Sequence, residues 1–95
     1  KGLVVLLGCC HAGLINTLEH IAARTGRRDI HAVIGGTHLG FCTAQQLDQT
    51  IALLKQWQIR KLAVSHCTGF AAAARLKQEF PAAFQSAQVG YSLKI

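Results

Sequence analysis

Acidic side chains are scarce in this 95-residue sequence: Glu19, Asp29, Asp48 and Glu79 are its only carboxylates, against ten lysines and arginines. A complete hydrolytic centre needs a carboxylate to orient a water or take its proton. None of the four follows a predicted strand, so the chain alone has at most part of such a centre. No apolar run approaches the roughly 20 residues of a membrane span, and Leu3 to Leu7 is too short for a signal-peptide core. The expected location is therefore the cytoplasm, with no membrane partner. Cys9, Cys10, Cys42 and Cys67 lack the spacing of a disulfide framework, and adjacent cysteines would bridge only with strain. Aromatic residues make up 6%, so the net charge of +6 lacks the interleaved rings of a nucleic-acid-binding stripe. Its cations are scattered, and Arg24, Arg27 and Arg28 read as the close of a helix, where positive charge suits the dipole. Methionine is absent, and Lys1 stands just before an apolar strand. The sequence is expected to be the remainder of a longer protein.

What is abundant is apolar surface: 51% of the residues are hydrophobic, and mean hydropathy is +0.28. Leu3-Val4-Val5-Leu6-Leu7 reads as an internal strand buried on both faces. It runs into Gly8-Cys9-Cys10-His11-Ala12-Gly13, which sets His11 on the turn into a helix. The pattern recurs twice. Ile30 to Ile34 runs into Gly35-Gly36-Thr37-His38-Leu39-Gly40, and Leu62 to Val64 runs into Ser65-His66-Cys67-Thr68-Gly69. If the strands are parallel neighbours, His11, His38 and His66 share the carboxyl edge of one sheet, where α/β proteins bind ligands. Imidazoles converging there suit a metal of the zinc class.

Between the strands, Leu14, Ile15, Leu18, Ile21 and Ala22 repeat at helical spacing up to Thr25-Gly26, with Glu19 and His20 on the polar side. Asp29 is expected to pair locally with His31. Thr43 and Gln46 form a capping box for a second helix packed through Leu47, Ile51 and Leu54, with Trp57 as a core anchor. Phe70 to Phe80 forms a third helix, closed by Pro81. Ala87 to Tyr91 reads as a weak last strand. The fold class is α/β with a largely parallel sheet, a single domain or half-domain over residues 1–95. Three helices can leave one sheet face bare, to be covered by another segment or another chain.

Taken together, Gly8 to Gly13 with Asn16, then Gly35 to Leu39, then Ser65 to Gly69, resemble the carboxyl-terminal half of metallo-β-lactamase-fold hydrolases. The nearer resemblance is to the dihydropterin-methyl-ribofuranosylaminobenzene-phosphate synthase-like branch. The resemblance implies a β-α alternating half of a four-layer αβ/βα sandwich, whose other half would cover the bare sheet face. It implies two metal ions in the complete protein (zinc, or manganese or iron), with His11 binding the first and His66 the second. It also implies an upstream partner half carrying His-x-His-x-Asp-His, absent from this sequence. Many members bear a bridging Asp where this chain has His38, which leaves His38, with Cys10, Ser65 and Thr68, as metal-proximal or substrate-contacting candidates. The substrate is expected to be a small molecule that the fold does not specify.

Two other readings stay open at this level. One is a non-enzymatic α/β binding or assembly module that uses the Gly-rich rim for a small anion and the bare sheet face for a partner, with a homo-oligomer also open. The other makes Cys9, Cys10 and Cys67 a redox or soft-metal site, which requires thiol pKa values depressed by neighbouring imidazolium.

Overall fold

The computed structural model describes residues 2–94; the side chain of His66 lies outside the described residues. Strands β1 (Leu3–Leu7), β2 (Ile30–Gly36), β3 (Lys61–Ser65) and β4 (Phe84–Ser86) alternate with helices α1 (Leu14–Thr25), α2 (Ala44–Trp57) and α3 (Phe70–Glu79). The strands lie side by side in sequence order, all parallel. Parallel strands joined by right-handed crossovers that step in one direction carry all their helices on one face. The core agrees: Leu14 and Leu18 of α1, Ile51 and Leu54 of α2 and Leu76 of α3 cluster with Val5, Val33, Leu62 and Val64 of the sheet.

Local chemistry sets the helix boundaries. Gly26 closes α1 in the left-handed conformation with its N–H on Ala22. The Thr43 side chain accepts from the Gln46 amide while the Gln46 side chain accepts from the Thr43 amide, as expected of a capping box. Trp57 is a core residue, with the Arg28 guanidinium 4.0 Å above its ring.

The apolar strands are one-sided. Val5 faces the helices, whereas Leu6 is 75% exposed and Val4 is exposed beside it. Leu6 aligns with Ile34, then Ala63, across the opposite face. Ala32 and Ala63 are buried yet stand outside the helix-side cluster. Thus β1 is an edge strand with a bare apolar face, not the internal strand expected from its composition, because the crossovers all step away from it. A bulge at Leu3/Val4 places one extra residue, His31, in β2 and keeps Ile30 on the core side.

Three further expectations are corrected. The last strand is Phe84–Ser86, not Ala87 to Tyr91: Phe84 brings an apolar ring to the core, whereas 87–91 holds Gly90 at φ +94° and a turn bond from Tyr91 N–H to Gln88. Only Arg24 occupies the last turn of α1. Arg27 binds Asp29 with two hydrogen bonds and Arg28 does the same with Glu19, so Asp29 serves Arg27 instead of His31.

Leu18→Ala, in a site with no exposure, should cost roughly 2–5 kcal/mol in urea denaturation, whereas Leu6→Ser should stay within about 0.5 kcal/mol. Hydrogen bonds from Arg28, Arg27 and Lys55 hold Glu19, Asp29 and Glu79, respectively, below the usual carboxylate range. Carboxyls with depressed folded-state pKa contribute stability above their unfolded values and lose it as pH falls through the folded ones. The urea midpoint should therefore fall with acidification through that range, and high salt should shrink the pH dependence.

Candidate functional site

The turns that follow β1, β2 and β3 meet at the carboxyl rim of the sheet. His11 is exposed on the first turn, and its ring lies against that of His38 from the second, centroid to centroid at 4.5 Å and tilted by 40°. The other neighbour of His38 is Phe41, at 4.6 Å. His38 occupies the left-handed region at φ 61°, a conformation that non-glycine residues hold only when their surroundings enforce it. Its Nδ1 is buried and has no hydrogen-bond partner. His66 lies on the third turn, Leu39–Phe41 and His66–Thr68 each forming one turn of 3-10 helix.

One thiol joins all three turns. Cys67 Sγ accepts from the His38 N–H at 3.2 Å and donates to the Cys9 carbonyl at 3.0 Å. Beneath it, Thr37 and Thr68 are buried, with their hydroxyl oxygens 2.8 Å apart. Thr68 donates to the Ser65 carbonyl at 2.9 Å and accepts from the Thr37 N–H at 3.2 Å. A hydroxyl has one proton, so the Thr37 hydroxyl must be the donor to Thr68. Both hydroxyl protons of this buried pair are assigned. The second and third turns approach at backbone contact: a Cβ on Gly40 would sit 2.9 Å from the Cys67 carbonyl oxygen and 3.0 Å from that of Thr68. Only glycine fits there.

The candidates thus divide by position. His11 and His38 stand together at the rim. Thr68 is buried with its hydroxyl engaged, and Ser65 supplies it a carbonyl. Cys10 Sγ is 3.4 Å from Thr17 Oγ1, whose proton goes to Gly13, so Cys10 is held on α1. Asn16 closes the first turn by donating to the Ala12 carbonyl. The thiols form hydrogen bonds and no disulfide. Burial and the neighbouring Cys67 thiol push the Cys9 thiol pKa up, opposite to what a reactive thiol requires.

No carboxylate reaches the rim among the described residues: Glu19, Asp29, Asp48 and Glu79 all pair with arginine or lysine elsewhere. Nor do any three His, Cys, Asp or Glu among the described residues form a group able to hold a metal ion. The Cys67 bridge, the threonine pair and the Phe41 contact were not apparent from the motifs. Gly40 was the available clue, as a small residue where two turns converge.

Cys67→Ala should remove the sulfur's hydrogen bonds to the His38 N–H and the Cys9 carbonyl and lower stability by about 1–3 kcal/mol. Cys67→Ser should recover part of the loss, with amide exchange at His38 faster in the alanine variant than in the serine one.

No family model matches the sequence. Over 94 residues the chain is 33% identical to a 7,8-dihydropterin-6-methyl-4-(beta-D-ribofuranosyl)-aminobenzene-5'-phosphate synthase of Methanocaldococcus jannaschii, a match covering 99% of this chain and 32% of the relative. The crystal structure of Tm1679, a metal-dependent hydrolase of the beta-lactamase superfamily, superimposes with a TM-score of 0.90 at 30% identity, over all of this chain and 37% of the other. The chain therefore spans about a third of the length of each. Over its whole length the chain therefore has the fold of part of a metal-dependent hydrolase of the beta-lactamase superfamily, and its sequence is similar to that hydrolase and to the synthase.

Proposed function

We propose that this chain supplies the carboxyl-terminal part of a binuclear metal-dependent hydrolase, with His11 and His66 as metal ligands. In this reading an upstream segment with His-x-His-x-Asp-His completes the site. The observation that carries it is the convergence of the first two histidine turns, whose rings lie 4.5 Å apart on a rim held by Cys67. The rim's chemistry fits a metal in part. Imidazole nitrogen is a common ligand for zinc, manganese and iron, and His38 carries a buried ring nitrogen without a partner. The missing carboxylates match a division of ligands between two segments. A bound metal would lower the pKa of a water towards neutrality.

Within this chain, His11 presents its imidazole at the rim, His66 on the third turn is the other proposed ligand, and His38 packs on His11 and limits its rotation. Thr37 and Thr68 keep the second and third turns in register, and Phe41 shields one side of His38 from water. The bare face of Val4 and Leu6 would pack on the upstream segment, which explains why an apolar surface is built there. The substrate is a small molecule, and the reaction belongs in the cytoplasm.

The test is metal content and ester or phosphodiester hydrolysis in the protein that contains this chain joined to its upstream segment. His11→Ala and His66→Ala should each lower bound metal and cut turnover by at least about 100-fold, whereas exposed His20→Ala should leave both unchanged. Metal-dependent turnover by the 95 residues alone would contradict the division of the site.

A further inference from the structure

A second feature adjoins the rim on the side away from β1. Helix α3, β3, β4 and the residues after β4 enclose an open cleft of about 860 Å³. One stripe of α3 lines it: Phe70, Ala73, Ala74 and Lys77, at the three- and four-residue spacing that puts side chains on one helix face. Val64 and Phe84 add apolar surface from the sheet. The small side chains of Ala73 and Ala74 leave the space, while the opposite side of the helix buries Ala72 and Leu76. Phe70 is 91% exposed, a large apolar ring left in water at the rim end of the cleft.

Among the described residues, Lys77 is the cleft's only charged side chain. All four acids of the chain are already committed: Glu19 to Arg28, Asp29 to Arg27, Asp48 to Arg75, and Glu79 to Lys55 and Arg75. No carboxylate among the described residues neutralises Lys77. Phe70 and Lys77 are seven residues apart, which on a helix is roughly 10 Å along the axis. Ser65 and Thr68 line the cleft's other end, on either side of His66.

From this arrangement we propose that the cleft binds an elongated organic anion, with an apolar body about 10 Å long lying along the α3 stripe and a terminal carboxylate or phosphate at Lys77. Its far end then reaches the turn that carries His66. That this ligand is the substrate rests on the hydrolase reading above; the cleft's affinity for it does not. Apolar burial along Phe70, Ala73 and Phe84 supplies attraction, and the unpaired ammonium selects charge.

The probe is biphenyl-4-carboxylate, rigid and of matching shape, titrated into the 95-residue chain and followed by amide NMR shifts. Saturable shifts confined to residues 64–77 and 84–89 are expected. Affinity should be about tenfold weaker for the neutral biphenyl-4-carboxamide and for the Lys77→Gln variant. Ala73→Leu, which fills the cleft, should weaken both compounds. No saturation, shifts centred on the bare face of Val4, Leu6 and Ile34, or equal affinity for acid and amide would each overturn the proposal. Zinc titration of the Lys77→Gln variant, made in the protein that joins this chain to its upstream segment, separates the two claims. Anion binding about tenfold weaker with zinc binding unchanged supports the cleft as distinct from the metal ligands, and parallel weakening of both overturns it.

Discussion

The rim depends on one thiol and one buried hydroxyl pair. Cys67 accepts a hydrogen bond from the second turn and donates one to the first, so three segments far apart in sequence share a single sulfur. The Thr37–Thr68 pair is buried with both hydroxyl protons assigned. Such a buried network resists displacement, because a shift leaves a desolvated polar group without a partner. That rigidity holds His38 in a left-handed backbone and keeps its ring against His11. The closeness of the turns requires Gly40, whose missing side chain admits the carbonyls of Cys67 and Thr68.

The sheet imposes a second constraint. With strands in sequence order, all the helix-side burial falls on one face, and the other remains apolar and open at Val4 and Leu6. A monomeric soluble domain seldom leaves such a face to water. Covering it and completing the rim would be a single event in the hydrolase reading, since both need the same upstream segment. An assembly module would use the same face, so the face alone does not choose between them.

Much of this was legible in the sequence. The helical spacing of Leu14, Leu18 and Ala22, the Thr43–Gln46 box and the strand-to-glycine rhythm located the helices and the three rim turns, because they rest on local periodicity and capping. Three motifs in order also carried the family resemblance that the fold and the relatives support. Features of tertiary origin were less legible. Composition marked β1 as internal, but strand position depends on which way the crossovers step. Ala87 to Tyr91 has strand-like residues, yet Phe84 reaches the core first and takes the pairing. The cysteines suggested reactivity, whereas Cys67 serves as a hydrogen-bond bridge, which depends on partners 29 and 58 residues away. The cleft beside α3 had no linear motif, since Phe70, Ala73, Ala74 and Lys77 acquire meaning only when Phe84 lies opposite.

The most direct measurement is the ring-nitrogen NMR spectrum of this chain's five histidines while zinc is added to the protein that joins the chain to its upstream segment. The account predicts large shifts at His11 and His66, a smaller one at His38 through its contact with His11, and none at His20 or His31. Shifts spread evenly over all five, or confined to His20 and His31, would contradict the assignment of the rim as a metal site.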